Sequence, residues 1–356
     1  MKDKYIIINI IIVILIIVII CLIIYEIYGI IIGGDTDIQD VNWPFINLLD
    51  ENKDKVDAFC LRGPLVKEED IKIFETMKEE GKTIIGCSSY LSFPLKCNNP
   101  SQSSEKGVCY ERPNIKGLPI ESLVDGWLHC FRDPSKIQNK NLLLLSESDF
   151  MDSISRLRQF NIQNKENIYD FLCYCPNDPN GCIGGWHFYN KNWPLAKKTI
   201  EVACNELSLK GILIGRDDCD ININDNSYLE RENWLQYHKF LKAISNSKFM
   251  IISSSEDASP RTIAESLLLN TPILVNEDIL GGWKYVNHNT GLFYNQYNIN
   301  EKIQEILENI KNNQYSPREY FINNYGLYNS GKQLRDFLVK INPKLSIHKY
   351  IRFSIS

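Results

Sequence analysis

No Asn-x-Ser/Thr triplet free of proline occurs in this asparagine-rich chain of 356 residues. Host-type N-glycosylation is therefore not expected on any part of it. A basic excess is missing too: 39 Lys and Arg stand against 44 Asp and Glu, a net charge of −5. Lys2 and Lys4 offset Asp3 and Glu26, so the rest of the chain carries the whole negative balance. Nucleic acid is thereby excluded as an expected partner. Alanine is scarce while Ile, Asn and Lys abound, a coding bias without functional weight. The composition is otherwise globular, 44% hydrophobic and 23% charged, and the length allows two modest domains.

Charged groups are absent from residues 5–24, a nearly unbroken Ile/Val/Leu run broken only by Asn9 and Cys21. At ~1.5 Å per residue it spans ~30 Å, one hydrocarbon core. A cleaved signal peptide would have ~7–15 apolar residues and a small-residue cleavage site after them, and neither holds here. An uncleaved signal anchor is expected within residues 1–32, with a short stem over 33–43. Lys2 and Lys4 precede the run, and Asp35, Asp37 and Asp40 follow it. The positive-inside rule then leaves the N-terminus in the cytosol and the body in a lumen or outside. That is a single-pass type II arrangement in an ER/Golgi-like or viral membrane. Ten of the 11 cysteines lie in that body, an even number that permits disulfides without fixing their pairing. Cys97 and Cys109, flanking a polar loop, are the expected local bridge, and cysteines in apolar runs such as Cys60 and Cys173 read as small buried hydrophobes.

Strands and helices alternate along the body. VDAFCL (56–61), an amphipathic helix over 67–81 and KTIIGC (82–87) make a βαβ pattern, residues 88–138 read as irregular, and NLLLLSESD (141–149) is a strand running into an acidic loop. A first α/β domain is expected over 44–160. A second, 161–356, opens with IYDFLCYC (168–175) and continues with a helix over 194–207, GILIG (211–215) and a helix over 231–245. Apolar strands follow at 249–252, 273–275 and 291–294, then an amphipathic helix over 299–313 and a returning helical tail over 316–339. Such alternation implies parallel, doubly wound sheets.

The densest chemistry lies between residues 249 and 294. SEDASPRTIAE (255–265) joins an apolar strand to a helix that is expected to have Pro260 in its first turn. The free amides there, with Arg261, suit a diphosphate. Glu265, one turn on, suits ribose hydroxyls, and Asp257 lies eight positions before it. A capped helix behind a solvated acidic loop accounts for the same letters. Gly281-Gly282 permits close backbone approach to a phosphate or sugar, although such pairs are usually turns.

This segment resembles the donor site of retaining GT-B glycosyltransferases, especially glycosyltransferase family 4. In that signature two acids separated by seven residues precede an x-Pro-hydrophobic strand and a Gly-Gly loop. Asp257 and Glu265 match the spacing, with Asp in place of the usual first Glu. Asn270-Thr271-Pro272 matches the turn, and Thr290-Gly291-Leu292-Phe293 a later strand. From about Asp125 to Asp336 the chain is also similar to an uncharacterised glycosyltransferase-like family of algae and large viruses. DGWLHCFRDP, SESDF, YNKNW, DASPR, ILGGWKYV and NYG…SG…LRDF carry that likeness. The resemblance implies a GT-B-like α/β fold, two Rossmann-like doubly wound domains facing a cleft. It also implies transfer of sugar from a nucleotide-sugar co-substrate to a glycan or glycoprotein acceptor, with no other cofactor and no metal.

The donor-binding residues expected on this reading are Lys191, Arg216, Ser259, Arg261, Glu265, Gly281 and Gly282, with Asp257, Glu265 and His129 as catalytic candidates. Lys191 takes the diphosphate-holding place by resemblance, and a surface lysine is the plainer alternative. Trp186, His187 and Trp193 offer an aromatic wall for sugar or base, or core. In the first domain Arg62, Ser88, Ser89, His129, Glu147 and Asp149 sit near strand ends and would supply acceptor contacts and any general base. His129 is the best placed for proton work near neutral pH. Two alternatives stay open. Asp218-Cys219-Asp220 resembles the DxD of metal-dependent GT-A enzymes, which use manganese, although a polar loop is the plainer reading. A non-catalytic, glycan-binding surface protein is the other. A calcium loop over 218–229 fails, because Ile223 and Leu229 stand where glycine and glutamate are required. CYCPNDPNGC (173–182) has three cysteines, too few for a closed zinc site, so a disulfide or buried thiols are expected there.

Overall fold

The computed structural model describes residues 43–89, 91–95, 114–151, 166–179 and 181–354. The membrane run at 5–24, the stem up to residue 42 and the Cys97–Cys109 pair lie outside the described residues. Among the described residues no helix is long and apolar enough to cross a membrane.

Two six-stranded sheets organise what is described, both within one compact unit. The first contains β1 (Phe45–Leu49), β2 (Lys55–Leu61), β3 (Thr83–Cys87), β6 (Gly126–His129), β7 (Leu142–Leu144) and β14 (Arg352–Phe353). A small hairpin, β4 (Asn114–Ile115) and β5 (Leu118–Pro119), stands apart. The order is β14-β1-β2-β3-β6-β7, with β2, β3, β6 and β7 parallel and β1 antiparallel to both its neighbours. Helices α1 (Glu68–Glu79) and α2 (Ile120–Leu123) belong to this half. The core on one face of the sheet gathers Phe74, Phe93 and Trp127, and the Trp127 indole donates to Ser88 Oγ at 2.9 Å.

The second sheet contains β8 (Tyr169–Tyr174), β9 (Gly211–Ile214), β10 (Leu229–Glu232), β11 (Ser247–Ile252), β12 (Ile273–Asn276) and β13 (Gly291–Tyr294). All its pairings are parallel, in the order β10-β9-β8-β11-β12-β13. In chain order that is 3-2-1-4-5-6, the doubly wound Rossmann arrangement, with its switch point between β8 and β11. Short continuous apolar strands form because both faces are covered. Phe171, Leu213, Phe249, Ile251 and Leu274 face a core shared with α4 (Trp193–Asn205) and α7 (Ile299–Lys311). Alternate residues, Leu172, Ile212, Met250, Ile252 and Val275, face α5 (Tyr237–Ser245), α6 (Arg261–Leu268) and α8 (Pro317–Asn324). A short α3 (Trp186–Asn190) precedes α4, and α9 (Gly326–Ile341) follows α8.

Several elements differ from the sequence expectation. The helix expected over 231–245 is two elements, because Leu229–Glu232 pairs along β9 as an edge strand and the helix begins only at Tyr237. Residues 88–138 contain β6, which lies between β3 and β7 in the first sheet. The tail splits at Tyr325 and Gly326, where φ is +87°. Its last helix returns to the first sheet: a side chain on Gly126 would collide with Phe337 at 2.6 Å, and Asn342 Nδ2 donates to Thr83 Oγ1 at 3.0 Å. Pro260, expected in the first turn of α6, instead precedes it with φ −71° and ψ 95°, so Arg261 is the first helical residue.

Phe249 is fully buried at the centre of the second sheet. Phe249→Ala is expected to cost about 3–5 kcal/mol in urea unfolding, since the sheet between two helix layers cannot collapse onto the void.

Candidate active site

The carboxyl ends of the two sheets meet. Trp283 Nε1 donates to the Cys130 carbonyl at 2.7 Å, just beyond β6. Arg132 donates to the Glu277 carbonyl at 2.8 Å, just beyond β12, and its guanidinium lies 5.5 Å from the Trp283 ring and 5.0 Å from that of Phe293. Ligands in open α/β sheets bind beyond carboxyl ends at the switch point. Here the segments leaving β8 and β11 come together there.

Asp178 starts the first of these segments. Its carboxylate accepts the His187 and Phe188 amides, both at 2.8 Å, and so holds the start of α3. After α3 the backbone turns through Asn192, at φ 49°, which caps α4. The small polar residues after β11 bind this turn. Ser253 Oγ donates to the Lys191 carbonyl at 2.5 Å, Ser255 Oγ to the Tyr189 carbonyl at 3.1 Å, and the Ser255 amide to the Asn190 carbonyl at 3.0 Å. Two loops without ladder partners thereby satisfy each other. The result places Lys191 Nζ 2.5 Å from Asp257 Oδ2. Burial works against the Lys191 ammonium, yet the charge and hydrogen bond of Asp257 outweigh it and hold its pKa above the ordinary lysine value.

Glu265 is buried on α6 and accepts from the Tyr237 hydroxyl at 2.9 Å. The Tyr174 phenol, at the end of β8, is raised mainly by burial, with Lys191 opposing the shift and Glu265 adding to it. Lys191, Asp257 and Glu265 therefore share one neighbourhood. Arg261 is exposed at the first position of α6; the Ile263 amide turns back to the Pro260 carbonyl at 3.2 Å, and the amides of 261 and 262 precede the helical ladder.

The glycine pair serves loop packing. Gly281 donates to the Asp257 carbonyl at 2.9 Å, and a Cβ there would lie 2.0 Å from the Ala258 carbonyl oxygen. Gly282 has φ +80°, and a Cβ would meet the Pro260 ring at 2.4 Å. Both residues let the loop after β12 lie against the 255–260 loop.

Arg216 does not join the group. It is fully buried, paired with Asp178, bonded to the Gly181 carbonyl at 3.3 Å and stacked within 5.6 Å of the Phe188 and 5.4 Å of the Trp193 rings. A buried guanidinium needs such a set of partners. Trp193 is core as well, whereas Trp186 keeps 36% of its surface exposed. Asp218 and Asp220 are exposed on either side of Cys219, which is joined to Cys182 by a disulfide. Sequence allowed a disulfide at Cys182 but gave no partner. Cys60, Cys87, Cys130, Cys173, Cys175 and Cys204 are buried free thiols.

On the first sheet, Arg62 forms an ion pair with Glu147, and Ser88 is taken by Trp127. His129 closes β6 and is buried, and its pKa is lowered mainly by that burial, with Lys284 adding repulsion. Asp149 is fully buried against Lys284 and Tyr285 of the ILGGWKYV stretch. Sequence reasoning singled out neither of these two, nor Asp178 or Tyr237. The signal for Lys284 and Tyr285 was the resemblance-bearing stretch itself.

Gly281→Ala is expected to lower stability by about 1–3 kcal/mol, read from urea midpoints, because backbone rather than a flexible side chain blocks the new methyl. His129 and His187 both have folded pKa values below the ordinary 6.5. Their contribution is complete above that value and is lost as pH falls through the lower folded values. Urea midpoints should therefore fall between about pH 7 and about pH 5, and fall less in His129→Gln.

No known family model matches the sequence, and no curated protein does. Solved structures do match. TarM superposes with a TM-score of 0.51 at 14% identity, over 80% of this chain and 54% of its own, so the chain spans about half of TarM's length. Sucrose-phosphate synthase from Thermosynechococcus elongatus gives 0.52 at 11% identity, over 81% of this chain and 74% of that one. A glycosyltransferase from Rickettsia africae gives 0.51 at 11% identity, over 79% and 76%. At such identities the likeness establishes architecture: the chain has the GT-B-type α/β fold of these structures.

Proposed function

We propose that the chain is a membrane-anchored glycosyltransferase that moves a sugar from a nucleotide-sugar donor to a glycan or glycoprotein acceptor. The observation that carries this reading is the Lys191–Asp257 pair, 2.5 Å apart at the switch point of the second sheet and beside the start of α6. A cation and a carboxylate held together there suit a sugar diphosphate, whose charged and hydroxylated halves need opposite partners. Lys191, Arg261 and the leading amides of α6 stabilise the departing diphosphate, because charge that develops on leaving is best met by preorganised positive groups. Glu265, oriented by Tyr237, grips the ribose. Asp257 addresses the donor sugar, and His129, at the end of β6 in the other sheet, is the group for proton work. With protein cations at the diphosphate, transfer proceeds without a metal. Retention of configuration follows from the family 4 resemblance, with Asp257 standing where that signature has Glu.

Residues 5–24 anchor the protein, with the body lumenal or exterior. The Cys182–Cys219 disulfide supports an oxidising compartment.

The full-length chain in detergent, offered a panel of nucleotide sugars, is expected to release nucleoside diphosphate from at least one of them with EDTA present. Lys191→Ala and Glu265→Ala should each lower kcat/KM by about 10²–10³-fold. Full activity in both variants removes this donor-site assignment. Strict manganese dependence points instead to Asp218 and Asp220. Glycan binding without turnover of any donor points to a non-catalytic receptor.

A further inference from the structure

Where the two sheets meet, a set of polar groups is sealed from water. Asp149 is fully buried, and Ser146 and Ser148 are each 1% exposed. The Asp149 carboxylate accepts the Ser146 amide at 2.7 Å, Lys284 Nζ at 2.5 Å and the Tyr285 hydroxyl. Lys284 also reaches Ser146 Oγ at 3.1 Å. The Ser148 and Tyr285 hydroxyls are 2.8 Å apart, the Ser148 amide donates to Ser259 Oγ at 2.9 Å, and the Ser259 hydroxyl lies 3.2 Å from Ser148 Oγ.

The carboxylate settles where each proton goes. Tyr285 has one hydroxyl proton and donates it in the hydrogen bond to Asp149, so its oxygen is left to accept from Ser148. With the Ser148 hydroxyl proton engaged in that hydrogen bond, its oxygen accepts from Ser259. Burial and the Asp149 charge raise the Tyr285 phenol well above its ordinary value, so it keeps its proton. The chain of donation therefore runs one way: Ser259 to Ser148, Ser148 to Tyr285, Tyr285 to Asp149. Ser259 stands two residues before Arg261, the exposed first residue of α6. Its proton is already committed, and it accepts an amide from the opposite half of the molecule.

We propose that Ser148, in the turn after β7, is a positioning residue for the donor site, and that Ser259 acts as its partner rather than as a contact to the donor diphosphate. Through this pair the Asp149–Lys284–Tyr285 cluster fixes the 255–261 loop, and with it the start of α6, to the acceptor-side half. This rests on the donor-site reading given above. Its new content is that a residue 111 positions away in sequence, touching no donor atom, sets donor affinity.

The test uses full-length protein and two readouts: titration with UDP, GDP and ADP, and hydrogen–deuterium exchange of the 255–263 amides. Ser148→Ala keeps the Ser148 amide but removes the relay hydroxyl. It is expected to weaken nucleoside diphosphate binding by about two- to tenfold, the size of one neutral hydrogen bond, and to speed exchange in that loop. Ser259→Ala should do the same, and the double variant should lose no more than the worse single one. Ser148→Thr, which keeps the hydroxyl, should restore both readouts. Unchanged affinity and exchange in Ser148→Ala, or additive losses in the double variant, overturn the proposal. Wild-type protein that binds none of the three nucleotides overturns the donor-site reading instead, and the exchange data then decide whether the tie exists. Lys284→Met strands a buried carboxylate and is expected to unfold, which is why the serine variants carry the test.

Discussion

One buried carboxylate organises the junction on which this fold depends. Two sheets whose parallel strands face each other by their carboxyl ends bring loops, not strands, into contact, and loops arrive with unpaired polar groups. Asp149 resolves much of that at one point. It closes its own turn by accepting the Ser146 amide, neutralises Lys284 and orders Tyr285. The carbonyl of the same residue accepts from Ser330 Oγ on α9 at 2.9 Å, so the returning tail is fastened to the same place. An unpaired carboxylate here would cost several kcal/mol, which is why the whole set is present together. The aromatic rings of Phe321 and Tyr325 pack around Tyr285 at 5.9 and 4.9 Å and keep water out.

A second constraint acts beside the switch point of the second sheet. The loops after β8 and β9 are long and polar, and two devices hold them: the Asp178–Arg216 pair and the Cys182–Cys219 disulfide. Asp178 does double duty, since it also receives two amides of α3. The position of Lys191 is thus set from behind, with the Asp178 and Arg216 side chains fully buried. Arg216 illustrates how a cation after a strand reads as a ligand contact in sequence but acts as a fastening in space.

What sequence revealed follows from how local each cause is. The strands β8, β11 and β12 were legible because burial on both faces leaves an unbroken apolar run. The edge strand β10, Leu-Glu-Arg-Glu, was not, because its charges and length fit a helix start equally well until β9 is beside it. The strand β6 hid in a stretch dominated by Ser, Pro and Cys. In the site, Asp257 and Glu265 were readable from spacing on one loop and helix, and Lys191 only through resemblance. Lys284 and Tyr285 meet partners 135 and 136 positions away, beyond the reach of any periodicity or local motif. The Gly281-Gly282 pair was visible, but its purpose depends on a backbone that only the fold brings near.

The edges of the two sheets have a consequence of their own. Among the described residues the outermost strands are β14 with two residues, β7 with three, and β10 and β13 with four each. An exposed strand edge offers its unpaired amides and carbonyls to any passing chain, and short or charged borders withhold that invitation. The longer strands, including the seven residues of β2 and the six of β8 and β11, all lie inside. The apolar sheets that hold the site are therefore screened against extension by a neighbouring molecule, and the two-residue return of β14 completes that screen along β1.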